Sequence, residues 1–253
     1  MAGGSAPGAS LVARSLTVLG AFDDRHRRLT LSEIAERAGL APATTLRIVR
    51  ELVAGEALVR DGRVYRVGRR LWSLGLLASE ETDLRDVASP YLQDLHAATR
   101  ATVHLAIREG DAVLYLDRLS GQASVPVVSR VGARLPLYPT GVGKVLLAHA
   151  PAEVVDRVMR SLEPMTRYTV TAPGLLARQL ERVRAEGHAT TREEMTLGAC
   201  SVAVPVWSGD DVVAAVGVVV PDFRRELGRL LTGLTMAARG IGRAVSAAPA
   251  PGS

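Results

Sequence analysis

One cysteine, one lysine and no long apolar run set the first limits on this 253-residue chain. Cys200 stands alone, so no intrachain disulfide can form, and without a neighbouring base it reads as a buried structural thiol. Lys144 is the only lysine. No apolar stretch approaches the roughly 18 residues of a membrane span. His26, His96, His104, His149 and His188 are scattered, with no HxH or HExxH spacing, so no metal site is expected. No Ser-His-Asp set and no cofactor fingerprint appears, which leaves catalytic residues and cofactors without support. His104, inside an apolar run, is expected to satisfy a core hydrogen bond rather than to bind a ligand. Residues 1–10 are Gly, Ala, Ser and Pro after Met1, uncharged, without the basic start and apolar core of a signal peptide. A disordered tail over 1–9, a second over 247–253 and a cytoplasmic location are expected. There is no internal repeat.

What is present begins with composition. Hydrophobic residues make up 47% of the chain, enough for real cores. Net charge is +5, and its distribution matters more than its size. Residues 1–80 carry 12 arginines against 8 acidic residues, whereas residues 81–253 carry 19 basic and 18 acidic residues. Arginine richness alone fits solvated faces in a GC-rich composition. Here, however, Arg47, Arg50, Arg60, Arg63, Arg66, Arg69 and Arg70 crowd one motif, where charge and motif coincide.

That motif spans Leu29 to Tyr65. Leu31, Ile34, Ala35 and Ala38 recur at helical spacing, with Ser32 placed to cap the start and Gly39 to end the helix. A second helical run holds Leu46, Val49, Leu52 and Val53, with Thr44, Thr45, Arg47 and Arg50 outward. Two short strands around Asp61-Gly62 follow. Helix, turn, helix and wing form a winged helix-turn-helix, whose second helix enters the DNA major groove. Thr44, Thr45, Arg47, Arg50, Arg60 and Arg63 are therefore the candidate DNA contacts: hydroxyls and guanidinium groups donate to phosphates, and arginine pairs with guanine edges. The competing reading of Arg47 is an internal pair with Glu51 at helical spacing.

Elsewhere the chain alternates. Leu11–Phe22 reads as a helix behind the motif, and Leu71–Leu77 as a short apolar helix. The winged unit spans 10–78, a linker helix 79–99 and a second domain 100–246. Pro90 predicts a kink or a helix start within the linker. Strands are expected over 102–108, 112–119, 125–131, 188–193, 201–207 and 212–220, and helices over 140–148, 152–162, 175–186 and 224–246. This order predicts an α+β fold with a largely antiparallel sheet. Gly141-Val142-Gly143-Lys144 invites a phosphate-loop reading, but position 138 is Tyr rather than Gly and Val145 follows the lysine. A helix capped by Thr140, whose N-terminal amides and dipole favour a carboxylate, fits better; a tight strand-to-helix turn without a ligand is the alternative. Glu193 and Glu194, adjacent on a strand, should face opposite ways and not share a site.

Three segments together resemble the IclR family of bacterial transcription regulators: Leu29–Gly75; Leu135–Ala148, with its Pro139-Thr140-Gly141-Val142-Gly143-Lys144; and Gly187 through Glu193-Glu194 to Gly198–Val206. The resemblance covers nearly the whole chain. It implies a winged helix-turn-helix joined by a helix to a GAF-like effector domain, homodimers that often pair into tetramers, palindromic operators in double-stranded DNA, and control by a small organic acid or aromatic compound. It places effector contacts on Gly141, Val142, Thr191 and Ser201, with further lining at Ser124, Val127, Gly217 and Val219. Tyr138 stands where His is common, Thr191-Arg192 where an acidic residue is common, and Gly217 and Val219 replace serines of the glyoxylate-responsive type. These departures imply a ligand larger or more apolar than a two- or three-carbon acid, its carboxylate met by Arg192 or Arg130. Two other readings are an enzymatic second domain fused to the motif and a winged helix used only for protein contacts. The arginine cluster opposes the latter and the missing catalytic set opposes the former.

Overall fold

Thr30, not Ser32, opens the helix-turn-helix. Its hydroxyl accepts the Glu33 amide while the Glu33 carboxylate accepts the Thr30 amide, a reciprocal capping box. The expected cap, Ser32, lies one residue inside the helix it was to start. The computed structural model describes residues 10–23, 26–75, 79–120, 125 and 128–247, with only the helical backbone at 79–83. The expected tail at 1–9, all but Ala247 of the one expected at 247–253, and the candidates Ser124 and Val127 lie outside the described residues; Ala247 is the last residue of a helix. The chain forms two compact units, divided between Thr82 and Asp83.

In the first unit, α1 (Leu11–Leu19), capped by Ser10, precedes β1 (Leu29–Thr30) and α2 (Leu31–Ala38). Gly39, at φ 62°, ends α2 in the left-handed conformation that a side chain rarely adopts. Next come α3 (Pro42–Ala54), β2 (Leu58–Asp61), β3 (Val64–Val67) and α4 (Arg69–Gly75). Gly62, at φ 62°, makes the β2–β3 turn, and β3 sits between β1 and β2. Val18, Ile34, Ile48, Val49 and Leu58 bury the apolar stripes of these elements together.

The second unit holds nearly all of α5 (Ser79–Thr99), then β4 (Thr102–Glu109), β5 (Ala112–Leu119), β6 (Arg134–Pro136), α6 (Gly141–Ala148), α7 (Ala152–Met159), α8 (Pro173–Glu186), β7 (Ala189–Arg192), β8 (Cys200–Ser208), β9 (Asp211–Val220) and α9 (Leu227–Ala247). Six strands make one sheet in the order β6-β5-β4-β9-β8-β7, every pairing antiparallel, as the α+β reading requires. The strand expected over 125–131 is not there in its described part: residues 128–131 are irregular and β6 begins at Arg134. Pro90 neither starts nor ends α5, which runs through it.

The sheet's two faces carry different cores. On one, Ala88, Leu92 and Leu95 of α5 and Leu230, Leu234 and Ile241 of α9 cover inward residues of β4, β8 and β9. On the other lie α6, α7 and α8, over Ala106, Ala203 and Ala215 of the sheet. The helix expected to be a linker is thus anchored by its own buried stripe.

Candidate functional site

The arginine face comes first. Helix α3 starts at Pro42, whose fixed φ suits the first helical position. Thr45, Ile48 and Val49 then point inward, leaving Arg47 and Arg50 exposed and Thr44 half-buried. Thr45 is therefore removed from the DNA candidates: it is fully buried, and its hydroxyl donates to the Ala41 carbonyl at 3.2 Å. Arg50, Arg60 and Arg63 border one groove between α3 and the wing, floored by Leu46 and Tyr65. Arg60 also donates to the Gly62 carbonyl (3.0 Å), and Arg28 pairs with Asp61 (2.5 Å), bracing the wing turn. Among the described residues Arg47 forms no ion pair with Glu51, so its guanidinium is not tied down within the helix.

In the second unit a cavity of about 50 Å³ lies between the start of α6 and the sheet face formed by β4, β9, β8 and β7. It brings together six expected positions: Gly141, Val142, Thr191, Ser201, Gly217 and Val219. Thr140 caps α6 by accepting the Gly143 amide (3.1 Å). The Gly141 amide donates to Ser201 Oγ (3.2 Å), and Ser201 shares a 2.5 Å hydrogen bond with Thr191 Oγ1. Two of the first-turn amides expected to be open are thus already engaged. Glycine is required at two contacts. A Cβ on Gly141 would stand 2.6 Å from Ser201 Oγ, and one on Gly217 would stand 2.8 Å from Val142 Cγ1.

Arg192 does not reach this cavity, contrary to expectation. The period-two alternation of β7 turns Thr191 inward and Arg192 to solvent, where it pairs with Asp222 (3.3 Å) and lies 4.2 Å over the Phe223 ring. Arg130 is exposed and likewise absent from the lining. No charged side chain lines the cavity among the described residues; the walls are mainly apolar, from Val128 and Leu135 to Met195.

Two groupings escaped the sequence reading. His104 on β4 is buried, lines the cavity, and shares a 2.7 Å hydrogen bond through Nε2 with Ser129 Oγ. The expected core hydrogen bond exists, but with a cavity residue. Burial pushes the His104 pKa down to about 3, with Arg118 adding to it, so the imidazole is neutral at physiological pH. Tyr115 stands edge-on to it at 5.0 Å, its own pKa raised by burial. The second grouping is an ion pair one helical turn behind the cavity. Lys144 of α6 and Glu194 are both buried and meet at 2.5 Å. Burial pulls the lysine pKa down, and attraction to Glu194 opposes that. Glu193 and Glu194 separate as expected, but through a turn rather than a strand. β7 stops at Arg192, Glu193 takes φ 55° and accepts the Gly198 amide (2.6 Å), and Glu194 swings inward. Cys200 is buried, which raises its thiol pKa.

Comparisons with known proteins agree with this layout. The family signature described as the IclR helix-turn-helix domain matches residues 11–62, and that of the bacterial transcriptional regulator IclR C-terminal region matches residues 77–247. The chain is 33% identical to the HTH-type transcriptional regulator BhcR of Paracoccus denitrificans, over 80% of this chain and 74% of that protein. It is 31% identical to the Pca regulon regulatory protein of Pseudomonas putida, over 82% of this chain and 72% of that one. Among solved structures, an IclR homologue from Microbacterium hydrocarbonoxydans complexed with 4-hydroxybenzoate superposes with a TM-score of 0.90 at 34% identity, covering 94% of this chain and 100% of that one. With signatures matching both units and relatives throughout its length, the chain belongs to the IclR family of transcriptional regulators, DNA-binding proteins rather than enzymes.

Proposed function

We propose that this regulator binds a palindromic operator as a homodimer, in some states a homotetramer, in the cytoplasm, and that a single-ring aromatic acid in the α6 cavity controls that binding. The observation that carries the ligand assignment is a partly open, apolar-walled cavity with hydrogen-bonding groups at both ends, in a chain that superposes at TM-score 0.90 on a relative holding 4-hydroxybenzoate. The carboxylate belongs at the start of α6. There the helix dipole and the Thr191 and Ser201 hydroxyls converge, the Gly141 amide being already engaged by Ser201. No arginine reaches that point, so neutral donors and the dipole do the work.

Size supports a small ligand that must reshape its site. A water needs roughly 10–15 Å³ of such space, so about 50 Å³ holds only a few. A ring enters only if lining side chains move, and Met195, with its adaptable thioether, and exposed Val128 are placed to do so. A ligand that binds one arrangement better shifts the population toward it.

On the DNA side, Arg47 and Arg50 read or grip the major groove with Thr44 beside them, while Arg60 and Arg63 carry the wing to the backbone. Pairing of two copies is supported by exposed Leu11, Val12 and Leu16 on α1 and Trp72 and Leu74 on α4, an apolar surface that a lone unit leaves in water. Two copies set two recognition helices against half-sites about 34–36 Å apart. The test is a shift assay on the gene's own upstream DNA, with and without 4-hydroxybenzoate, alongside thermal melting with the same acid and with glyoxylate. The expected result is a change in operator affinity and a rise in Tm with the aromatic acid alone. A Tm rise with glyoxylate alone refutes the ligand class, and equal affinity for operator and scrambled duplex refutes the operator reading.

A further inference from the structure

We infer that His104, held by Ser129, reads a neutral hydroxyl on the end of the ligand away from its carboxylate, and so decides which single-ring acids this protein answers to. The inference rests on the effector reading above and assigns the second end of the same cavity.

Register places the two ends. His104 of β4 lies opposite Gly217 of β9, which lies opposite Ala203 of β8, and Ser201 is two residues further along β8 on the same face. Two strand spacings and two residue rises put the His104 and Ser201 backbones roughly 12 Å apart. Inward reach by both side chains shortens that span to the length of one ring, which enters once Met195 and Val128 move aside. The floor of that span is Gly217 and Ala203, the smallest residues available, and Val142 and Val219 add apolar walls.

The chemistry at the His104 end suits a hydroxyl. The imidazole is neutral because it is buried, so it offers no ion pair to a carboxylate. Arg118, the charge that acts on it, does not line the cavity. The His104–Ser129 hydrogen bond runs in one direction or the other, according to the imidazole tautomer. When the serine donates to Nε2, its oxygen still accepts; when Nε2–H donates to the serine, the serine proton is left to donate. A ligand hydroxyl completes either arrangement, since it both donates and accepts. A carboxylate, which only accepts, completes one. The aromatic edge of Tyr115, 5.0 Å away, holds the imidazole in place.

The test uses the full-length protein and isothermal titration with two probes, 4-hydroxybenzoate and benzoate, on wild type, His104→Phe and Ser129→Ala. Wild type should bind 4-hydroxybenzoate at least about tenfold more tightly than benzoate. Both variants should bring that ratio close to one. Ser129→Ala decides the matter alone if His104→Phe does not fold. Equal wild-type affinity for the two probes, or a preference that survives the variants, overturns the assignment of His104 and leaves the effector reading standing. Binding of neither probe overturns the effector reading itself.

Discussion

Replacing Lys144 by methionine strands a charge in the core. Lys144 and Glu194 are 1% and 7% exposed at their side chains, and the ammonium lies 2.5 Å from one carboxylate oxygen. The other oxygen, Glu194 Oε2, is buried with no hydrogen-bond partner among the described residues. Among the described residues, Lys144 is the side chain that balances this carboxylate. The turn that carries it is held by its backbone, the Glu194 carbonyl accepting from the hydroxyls of Thr169 (2.7 Å) and Thr166 (3.5 Å). Removing one member of a buried pair costs about 3–5 kcal/mol, whereas removing both in favour of apolar side chains is close to neutral. For a chain of this size each kcal/mol moves Tm by about 2–4 °C, so Lys144→Met should melt about 6–20 °C lower. Glu194→Leu alone leaves the ammonium stranded and should fall comparably. The double variant Lys144→Met/Glu194→Leu should recover most of the loss. Differential scanning calorimetry of the four proteins forms a double-mutant cycle. Losses that simply add, with no recovery in the double variant, would show that the two groups do not act as a pair and would refute the reasoning.

Three further outcomes follow from the same geometry. Arg50→Ala and Arg63→Ala should each weaken operator binding and reduce the salt slope of log K by about one, while Thr45→Ala should leave the slope unchanged; filter binding across a salt series measures all three. Gly217→Ala drives a methyl group to within 2.8 Å of Val142 Cγ1 and 3.2 Å of Ala203 Cβ, so it should cost about 1–3 kcal/mol in urea unfolding, and an unchanged midpoint counts against the packing described. His104 titrates near 6.5 when unfolded and at about 3 when folded. As pH falls below 6.5 the unfolded chain takes up a proton that the native state refuses. Stability is then lost at about 1.4 kcal/mol per pH unit down to about pH 3. His104→Phe should flatten that part of the pH profile, and identical profiles for the two proteins would contradict it.

What the sequence disclosed, and what it hid, divides along physical lines. Local signals worked: Gly39 and Gly187 end helices with positive φ, Thr140 caps α6, and Asp61-Gly62 turns the wing. Alternation worked for β4, β5, β8 and β9. The capping box at Thr30 and Glu33 is equally legible, three residues apart, but Ser32 is a good cap residue nearer the apolar run. Thr45 reads as an outward residue because threonine is polar. Once its hydroxyl is satisfied by the carbonyl four residues back, what remains is a methyl group suited to a core. The period-two rule that turns Thr191 inward turns Arg192 outward, so the two cannot share the cavity. The Lys144–Glu194 and His104–Ser129 partnerships join residues 50 and 25 positions apart, and only the folded sheet reveals them. Their one trace in the sequence is a sole lysine in a helix otherwise free of polar side chains.

The sheet itself decides how a ligand signal travels, if the cavity is where the ligand binds. The cavity lies on the α6 face, and the buried stripe of α5 lies on the opposite face. The strands join the two: on β4, His104 faces the cavity while Val103 and Leu105 face the α5 core, and on β8, Ser201 and Ala203 alternate with Val202 and Val204 in the same way. Alternation makes neighbouring residues of one strand belong to two different environments. A ligand whose entry also shifts the backbone of β4 or β8 is therefore felt by Ala88, Leu92 and Leu95. Interiors packed at crystal-like density transmit such shifts rather than absorb them. Leu105→Ala, which opens space on the α5 side only and touches no ligand, should accordingly weaken the effect of ligand on operator affinity while leaving ligand affinity within a few-fold of wild type. Full coupling in that variant would mean that the signal takes a route other than the sheet.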